Sequence, residues 1–165
     1  MIMALYKYEP FHGAVLHRLI RENIEGNLVI KPGINKYAYL IRKAHYEEFR
    51  VDKTIGLFVK YSSKRFSPWR YSIYKDEQEE IELLKEVCDT IFLVLVNGKE
   101  GIACLEYDNI KELLDDNFED HEWLSVSTKL RKEYTLKGKD GNLQRKIPRN
   151  LYPKIVIDRL NEISG

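Results

Sequence analysis

The fold of this chain is decided by one stretch near its middle, residues 90–107, which reads TIFLVLVNGKEGIACLEY. Thr90 to Asn97 is rich in apolar and β-branched residues and predicts a fully buried strand. Asn97-Gly98 is the strongest hairpin-turn signal in the sequence, and it predicts that Ile102 to Tyr107 returns as the antiparallel partner. We therefore expect a buried β-hairpin at the centre of the protein.

The segments on both sides of this hairpin carry helix and strand patterns. Helical spacing of apolar residues predicts helices over Pro10–Asn23, Glu77–Asp89, Asp108–Leu114 and Leu151–Ile163. Alternation and short apolar runs predict strands over Met3–Tyr8, Leu28–Lys31, Tyr37–Arg42, Ile55–Tyr61, Trp69–Tyr74, Trp123–Ser127, Lys132–Leu136 and Leu143–Ile147. Ile55–Tyr61 is nearly all apolar, so we expect a central strand there, with Trp69–Tyr74 as its hairpin partner.

These strands arrive mostly as hairpins, which favours an α+β fold over a doubly wound parallel sheet. We expect a single, mostly antiparallel or mixed sheet with about four helices packed on it. At 165 residues the chain has the length of one domain, so residues 1–165 are expected to share one core.

Composition excludes several classes of protein. The 44% of hydrophobic and 32% of charged residues are typical of a globular chain, and the longest apolar run is too short to span a membrane. The N-terminus lacks the pattern of a secretion signal. Cys88 and Cys104 form no CxxC motif and are expected to be two buried thiols. These features predict a cytoplasmic protein that does not associate with a membrane.

A net charge of +1 conceals a strong separation of charge along the chain. Residues 53–75 contain six basic residues and no acid, whereas residues 76–122 contain sixteen acids and three lysines. Residues 129–154 contain nine basic residues and only two acids, Glu133 and Asp140. Separation in sequence is not separation in space, because basic strands can also pack beside acidic helices of the same domain.

The basic segments predict binding to DNA or RNA. Lysine and arginine neutralise phosphates, serine hydroxyls donate to them, and unpaired bases stack on aromatic rings. The candidate contact residues are Lys60, Lys64, Arg65, Trp69, Arg70, Arg131 and Lys132. The acidic middle segment supports a different hypothesis, in which the chain is a protein-interaction or regulatory subunit without catalytic activity.

The sequence contains no specific catalytic or zinc-binding motif. One looser pattern is a glutamate at the end of a helix, Glu22, followed by Asp52 and then by Lys60 within an apolar strand. This order resembles the PD-(D/E)XK nuclease superfamily over residues 10–107, although Phe58 stands where the motif has its second acid. The resemblance implies a degenerate nuclease-like site: either Glu22, Asp52 and Lys60 act with Mg²⁺ and another residue supplies the missing acid, or the site is inactive.

A second resemblance spans nearly the whole chain. The sequence looks like a family of short prokaryotic proteins of uncharacterised function. The segments that carry this resemblance are 11–16 (FHGAVL), 60–69, 95–102 (LVNGKEGI) and 122–127 (EWLSVS). This second resemblance implies no activity.

Overall fold

The computed structural model describes residues 4–22, 27–33, 35–44 and 54–162. The elements in chain order are α1 (Glu9–Arg21), β1 (Asn27–Pro32), β2 (Ala38–Ala44), β3 (Ile55–Ser62), β4 (Trp69–Tyr74), α2 (Lys75–Val87), β5 (Thr90–Asn97), β6 (Gly101–Glu106), α3 (Tyr107–Leu113), β7 (His121–Ser127), β8 (Thr135–Gly138) and α4 (Lys154–Asn161). The described residues thus contain four helices and eight strands, which confirms the predicted α+β class.

Five of the strands form sheet A, in the order β1-β2-β3-β5-β6. Neighbouring strands of sheet A are antiparallel, except that the central strands β3 and β5 are parallel. In this parallel pair Ile55 lies opposite Thr90 and Ser62 lies opposite Asn97. The expected hairpin joins β5 to β6, and Gly98 in its turn has a φ of 54°, a left-handed conformation that glycine adopts without strain. The predictions of a buried strand β5 and a central strand β3 are confirmed.

The other three strands form sheet B, in the order β4-β7-β8. The expectations of a single sheet and of a hairpin between β3 and β4 are therefore wrong. The reason is that both hydrogen-bonding edges of β3 are occupied, one by β2 and the other by β5. With no edge available, β4 leaves sheet A and pairs with β7 instead, so that Trp69 lies opposite Val126.

Two apolar clusters lie on the two faces of sheet A. On one face, α1 and α4 pack against the odd-numbered residues of β3, such as Leu57 and Val59. On the other face, sheet B, α2 and α3 pack against the remaining residues of sheet A, such as Phe58 and Leu93. Sheet A is therefore buried on both sides, and sheet B has one face in the core and one face outward.

Several smaller expectations can be compared with the structure. Cys88 and Cys104 are free and buried, as predicted. The hairpin predicted over 132–147 is shorter than expected. Tyr134 and Ile147 exchange two backbone hydrogen bonds of 2.8 Å beside β8. Residues 4–8 form no strand. Among the described helices, none combines the length and the hydropathy that crossing a membrane would require.

Candidate nucleic-acid interface

The outer face of sheet B is made of polar, basic and aromatic side chains. Strand alternation points Trp69, Tyr71 and Ile73 of β4 into the core, and it turns Arg70 outward. In the strand register, Arg70 lies opposite Ser125 of β7, and Ser125 lies opposite Lys137 of β8. A row of two cations separated by a hydroxyl therefore crosses this face.

Aromatic rings lie beside this row. The Arg70 guanidinium carbon is 4.9 Å from the centre of the Trp123 ring, a cation–π distance. Further along the same face, the Tyr74 and His121 rings are 5.5 Å apart, and His121 Nε2 lies 3.0 Å from Ser72 Oγ. Cationic, hydroxyl and aromatic groups are therefore interleaved on one surface.

Two loops that are distant in sequence meet at one end of sheet B. The backbone N–H of Thr128 donates a hydrogen bond of 3.0 Å to the hydroxyl oxygen of Ser67. This contact joins the loop 63–68 to the loop 128–132. We call the cations at this end of the sheet the basic patch, and its members are Lys64, Arg65, Arg70, Lys129, Arg131, Lys132 and Lys137, all exposed.

Hydrogen bonds from the buried Trp69 and from Lys64 stabilise the loop 63–68. The indole nitrogen of Trp69 donates a hydrogen bond of 2.9 Å to the carbonyl oxygen of Lys64, and the Lys64 ammonium donates one of 2.8 Å to the Pro68 carbonyl. Arg65 and Phe66 extend beyond these anchors, with the guanidinium carbon 5.0 Å from the ring centre. The Phe66 side chain is 67% exposed, so an aromatic ring beside a cation faces the solvent.

The loop 128–132 is a tight turn with two consecutive left-handed residues. Leu130 and Arg131 have φ angles of 50° and 55°, which are uncommon for residues other than glycine. The turn is closed by the Lys132 N–H, which donates to the Lys129 carbonyl, and by the Thr128 hydroxyl, which donates to the Lys132 carbonyl. Such conformations persist only when surrounding contacts hold them, and they are frequent at functional sites.

Charge is separated in space along sheet B. The basic patch occupies the end where β4 begins and β7 ends. At the opposite end, Tyr74 pairs with His121, and the Lys75 N–H donates to the Asp120 carbonyl. The exposed acids around that opposite end are Asp115, Asp116, Glu119, Asp120 and Asp140. Within the basic patch, the exposed Glu133 follows Lys132 directly.

Lys60, the predicted catalytic lysine, forms hydrogen bonds and an ion pair with residues of β4 and α2. Its ammonium lies 2.9 and 2.7 Å from the two carboxylate oxygens of Glu77 and 2.6 Å from the Ser72 carbonyl oxygen. Glu77 also accepts a hydrogen bond of 3.0 Å from the Tyr74 N–H. Lys60 therefore joins sheet A to β4 and α2, and its ammonium is held by Glu77 and Ser72.

Two of the three predicted catalytic residues, Glu22 and Lys60, lie in the described ranges and are associated with opposite faces of sheet A. Glu22 is exposed at the end of α1, and α1 packs on the face of sheet A formed by Leu57 and Val59. Lys60 points to the other face, because it is an even-numbered residue of the same strand. Asp52 lies outside the described residues. The catalytic role of these three residues stays a prediction.

The predicted nucleic-acid residues have different positions. Lys64, Arg65, Arg70, Arg131 and Lys132 share the basic patch. Trp69 is 1% exposed, so its ring contributes to the core and to the support of the loop 63–68. The predicted contact residues did not include Trp123, Lys129 and Lys137. The signal for Trp123 was its alternation with Glu122 and Leu124, which identifies a half-buried strand but not the direction of either face.

Comparison of the chain with protein-family models, with curated proteins and with solved structures finds no match. A function for this chain therefore rests on the side chains of sheet B and its two loops. Their arrangement provides cations that can contact successive phosphates, hydroxyl groups that can donate to phosphate oxygens, and exposed rings on which bases can stack.

Proposed function

We propose that this protein binds nucleic acid through the basic patch and the adjoining outer face of sheet B. The observation that carries the proposal is the meeting of the two basic loops, joined by the hydrogen bond between Thr128 and Ser67. A single basic loop is common on protein surfaces and has little meaning by itself. Two loops of like charge held side by side repel each other, so an anionic ligand between them would stabilise this arrangement.

A polyanion fits this surface better than a single small anion. Arg65 and Lys132 extend from the loops, whereas Arg70 and Lys137 lie on the strands behind them. Cations distributed over loops and strands can contact several phosphates along a backbone. The serine and threonine hydroxyls between them supply additional donors without adding charge.

The rings of this surface favour a single strand over a duplex. Phe66 is exposed beside Arg65, and Trp123 is a half-buried ring beneath Arg70 on the sheet. Bases of a single strand can stack on such rings, whereas the bases of a duplex are stacked on one another. We therefore expect single-stranded DNA or RNA to be the preferred ligand.

The alternative function, a protein-interaction or regulatory role of the acidic segment, has less support in the geometry. Six of its sixteen acids form ion pairs with cations of the same chain. These pairs are Glu77 with Lys60, Glu82 and Asp116 with Lys111, Glu100 with Arg149, Glu106 with Arg159, and Glu119 with Lys139. A carboxylate with an internal partner offers less attraction to a basic partner protein.

Nuclease-like chemistry with Mg²⁺ at Glu22, Asp52 and Lys60 is a separate hypothesis with its own experiment. Purified protein is incubated with DNA and RNA in the presence of Mg²⁺, beside the variant Lys60→Arg, which retains a cation for Glu77. Cleavage that the folded variant loses would support a catalytic lysine. An absence of cleavage by the wild-type protein would reject the hypothesis and leave binding untouched.

The binding proposal is tested by fluorescence anisotropy with labelled single- and double-stranded DNA and RNA. We expect binding at low salt that weakens steeply between about 50 and 200 mM salt, because released counterions make phosphate binding salt-dependent. We also expect single strands to bind more tightly. Failure to bind any of the four probes at low salt, or binding that salt does not change, would contradict the proposal.

A further inference from the structure

Three carboxylates from separate parts of the chain meet at the acidic end of sheet B. Asp115 follows α3, Glu122 lies in β7, and Asp140 lies in the turn after β8. One potential ligand oxygen of each lies within 4.8 Å of those of the other two. Asp115 and Asp140 are exposed, whereas Glu122 has an exposed fraction of 0%. Glu122 is therefore the buried member of the group, and Asp115 and Asp140 are accessible to solvent.

Each carboxylate uses one oxygen in a hydrogen bond. The Asn117 N–H donates to Asp115 Oδ1 over 3.0 Å, the Asp115 N–H donates to Asp140 Oδ2 over 2.9 Å, and the Gln78 amide donates to Glu122 Oε2. These bonds help to fix the orientation of the three carboxylates.

Glu122 Oε1 is the atom that points to a ligand. It is buried, and it has no hydrogen-bond partner among the residues that the structure describes. Leaving a carboxylate oxygen buried without a partner is costly, so native proteins supply such an atom with a donor, a water molecule or a cation.

The negative charge of the group is not balanced by the protein. Within the described ranges, none of the three carboxylates forms an ion pair with a lysine or arginine. The neighbouring cations already have other partners, since Lys139 pairs with Glu119 and Lys111 pairs with Glu82 and Asp116. Three like charges at this spacing repel one another unless a positive charge is bound between them.

The backbone around the group is closely packed. A Cβ atom on Gly138 would lie 2.3 Å from the Leu113 carbonyl oxygen, so only glycine permits the turn after β8 to approach the end of α3 this closely. The Asp140 N–H donates to the same carbonyl over 3.0 Å. The carboxylates are therefore held on a rigid frame, as a preformed metal site requires.

We propose that Asp115, Glu122 and Asp140 bind one divalent cation of the hard, oxygen-preferring class, which fastens the turn after β8 to α3 and β7. Carboxylate oxygens are the ligands that Ca²⁺ and Mg²⁺ prefer, and water molecules on the exposed side can complete the coordination shell. This site lies at the end of sheet B opposite the basic patch, so the proposal is independent of nucleic-acid binding.

The test uses the full chain, freed of metal with a chelator that is then removed. Isothermal titration with Ca²⁺, Mg²⁺ and Mn²⁺ should give one site per chain for at least one of them, and that ion should raise the melting temperature. The variants Glu122→Gln and Asp140→Asn should bind it more than about 10-fold more weakly, because each removes a charged ligand. Asp120→Asn, an exposed acid at the same end of sheet B but outside the group, should bind within about twofold of the wild-type protein.

Each protein is compared with its own metal-free melting temperature, so a change in basal stability does not obscure the result. Asp140 is exposed, so Asp140→Asn should remain folded even if Glu122→Gln does not. If no divalent cation stabilises the wild-type protein, the proposal is overturned. This is the result expected if the carboxylates share a proton instead of binding a cation. Unchanged affinity in the folded Asp140→Asn variant would also overturn it.

Discussion

The Ser67 hydroxyl accepts a hydrogen bond of 3.0 Å from the backbone N–H of Thr128, and this bond connects the two basic loops 63–68 and 128–132. Ser67 immediately precedes the cis bond to Pro68, and Thr128 directly follows the last residue of β7. The hydrogen bond between Thr128 and Ser67 therefore fixes the spacing between the cations of two loops that are far apart in the sequence. The predictions about binding follow from this fixed spacing.

Reversing charge in both loops should weaken nucleic-acid binding. We expect the double variant Arg65→Glu/Lys132→Glu to bind single-stranded probes more weakly and to reduce the slope of log affinity against log salt by about 2, since each lost phosphate contact removes about one unit. The measurement is anisotropy over a series of salt concentrations. The control, Arg21→Glu/Lys154→Glu, makes the same charge change on α1 and α4 and should keep the wild-type slope. Equal losses in the two variants would mean that only net charge matters.

Removing the exposed ring of Phe66 should reduce affinity for single strands alone. A base that stacks on an aromatic side chain gains about 1–3 kcal/mol, so Phe66→Ala should weaken single-strand binding by roughly that amount. Duplex binding and the salt dependence should stay unchanged, because no charge is lost. Leu130→Ala is the matched control, since Leu130 is also exposed in the basic patch but has no aromatic face. If the single-strand affinity of Phe66→Ala equals that of the wild type, the stacking role is rejected.

The ion pair between Lys60 and Glu77 should be structural. The two side chains are only 15% and 8% exposed, so Lys60→Met leaves a nearly buried carboxylate without its cation. We expect a loss of about 3 kcal/mol in the free energy of unfolding, measured by urea denaturation. The double variant Lys60→Met/Glu77→Gln should recover part of this loss, because the unpaired charge is gone. Additive losses would show that the two residues are not coupled.

His12 should make the protein less stable in mild acid. Burial lowers the pKa of His12 from its ordinary value of 6.5, and Lys36 lowers it further. The unfolded chain therefore takes up a proton more readily than the folded protein, so the free energy of unfolding should fall as the pH drops below about 6.5. His12→Asn, which retains a group that can bond to the Tyr39 hydroxyl, should lose this part of the pH dependence. His17→Asn, at an exposed position, should retain it.

The sequence predicted the elements of this fold better than their pairing. The β5–β6 hairpin is local, and the turn at Asn97-Gly98 encodes it within a few residues. The parallel pairing of β3 with β5 and the pairing of β4 with β7 depend on contacts between distant segments. Trp69–Tyr74 alternates equally well as a partner of either strand, so the pattern could not show that β3 had no free edge.

The same limit applies to the candidate sites. Charge counts identified Lys64 and Arg65 on one segment and Arg131 and Lys132 on another, but only the folded chain brings these segments to one end of a sheet. In the carboxylate group, Glu122 is separated from Leu124 by two positions and from Val126 by four, and this spacing places an acid on the buried face of β7. Its meeting with Asp115 and Asp140 depends on two turns whose geometry the sequence does not specify.

The pairing of β4 with β7 has a consequence for the order in which the protein can form during its synthesis. Strands β1, β2, β3, β5 and β6 can complete sheet A before β7 has been translated. Until β7 emerges from the ribosome, β4 has an unpaired edge and the apolar residues Trp69, Tyr71 and Ile73 have no second strand to help cover them. The risk of aggregation is therefore greatest in the interval between the emergence of β4 and the emergence of β7.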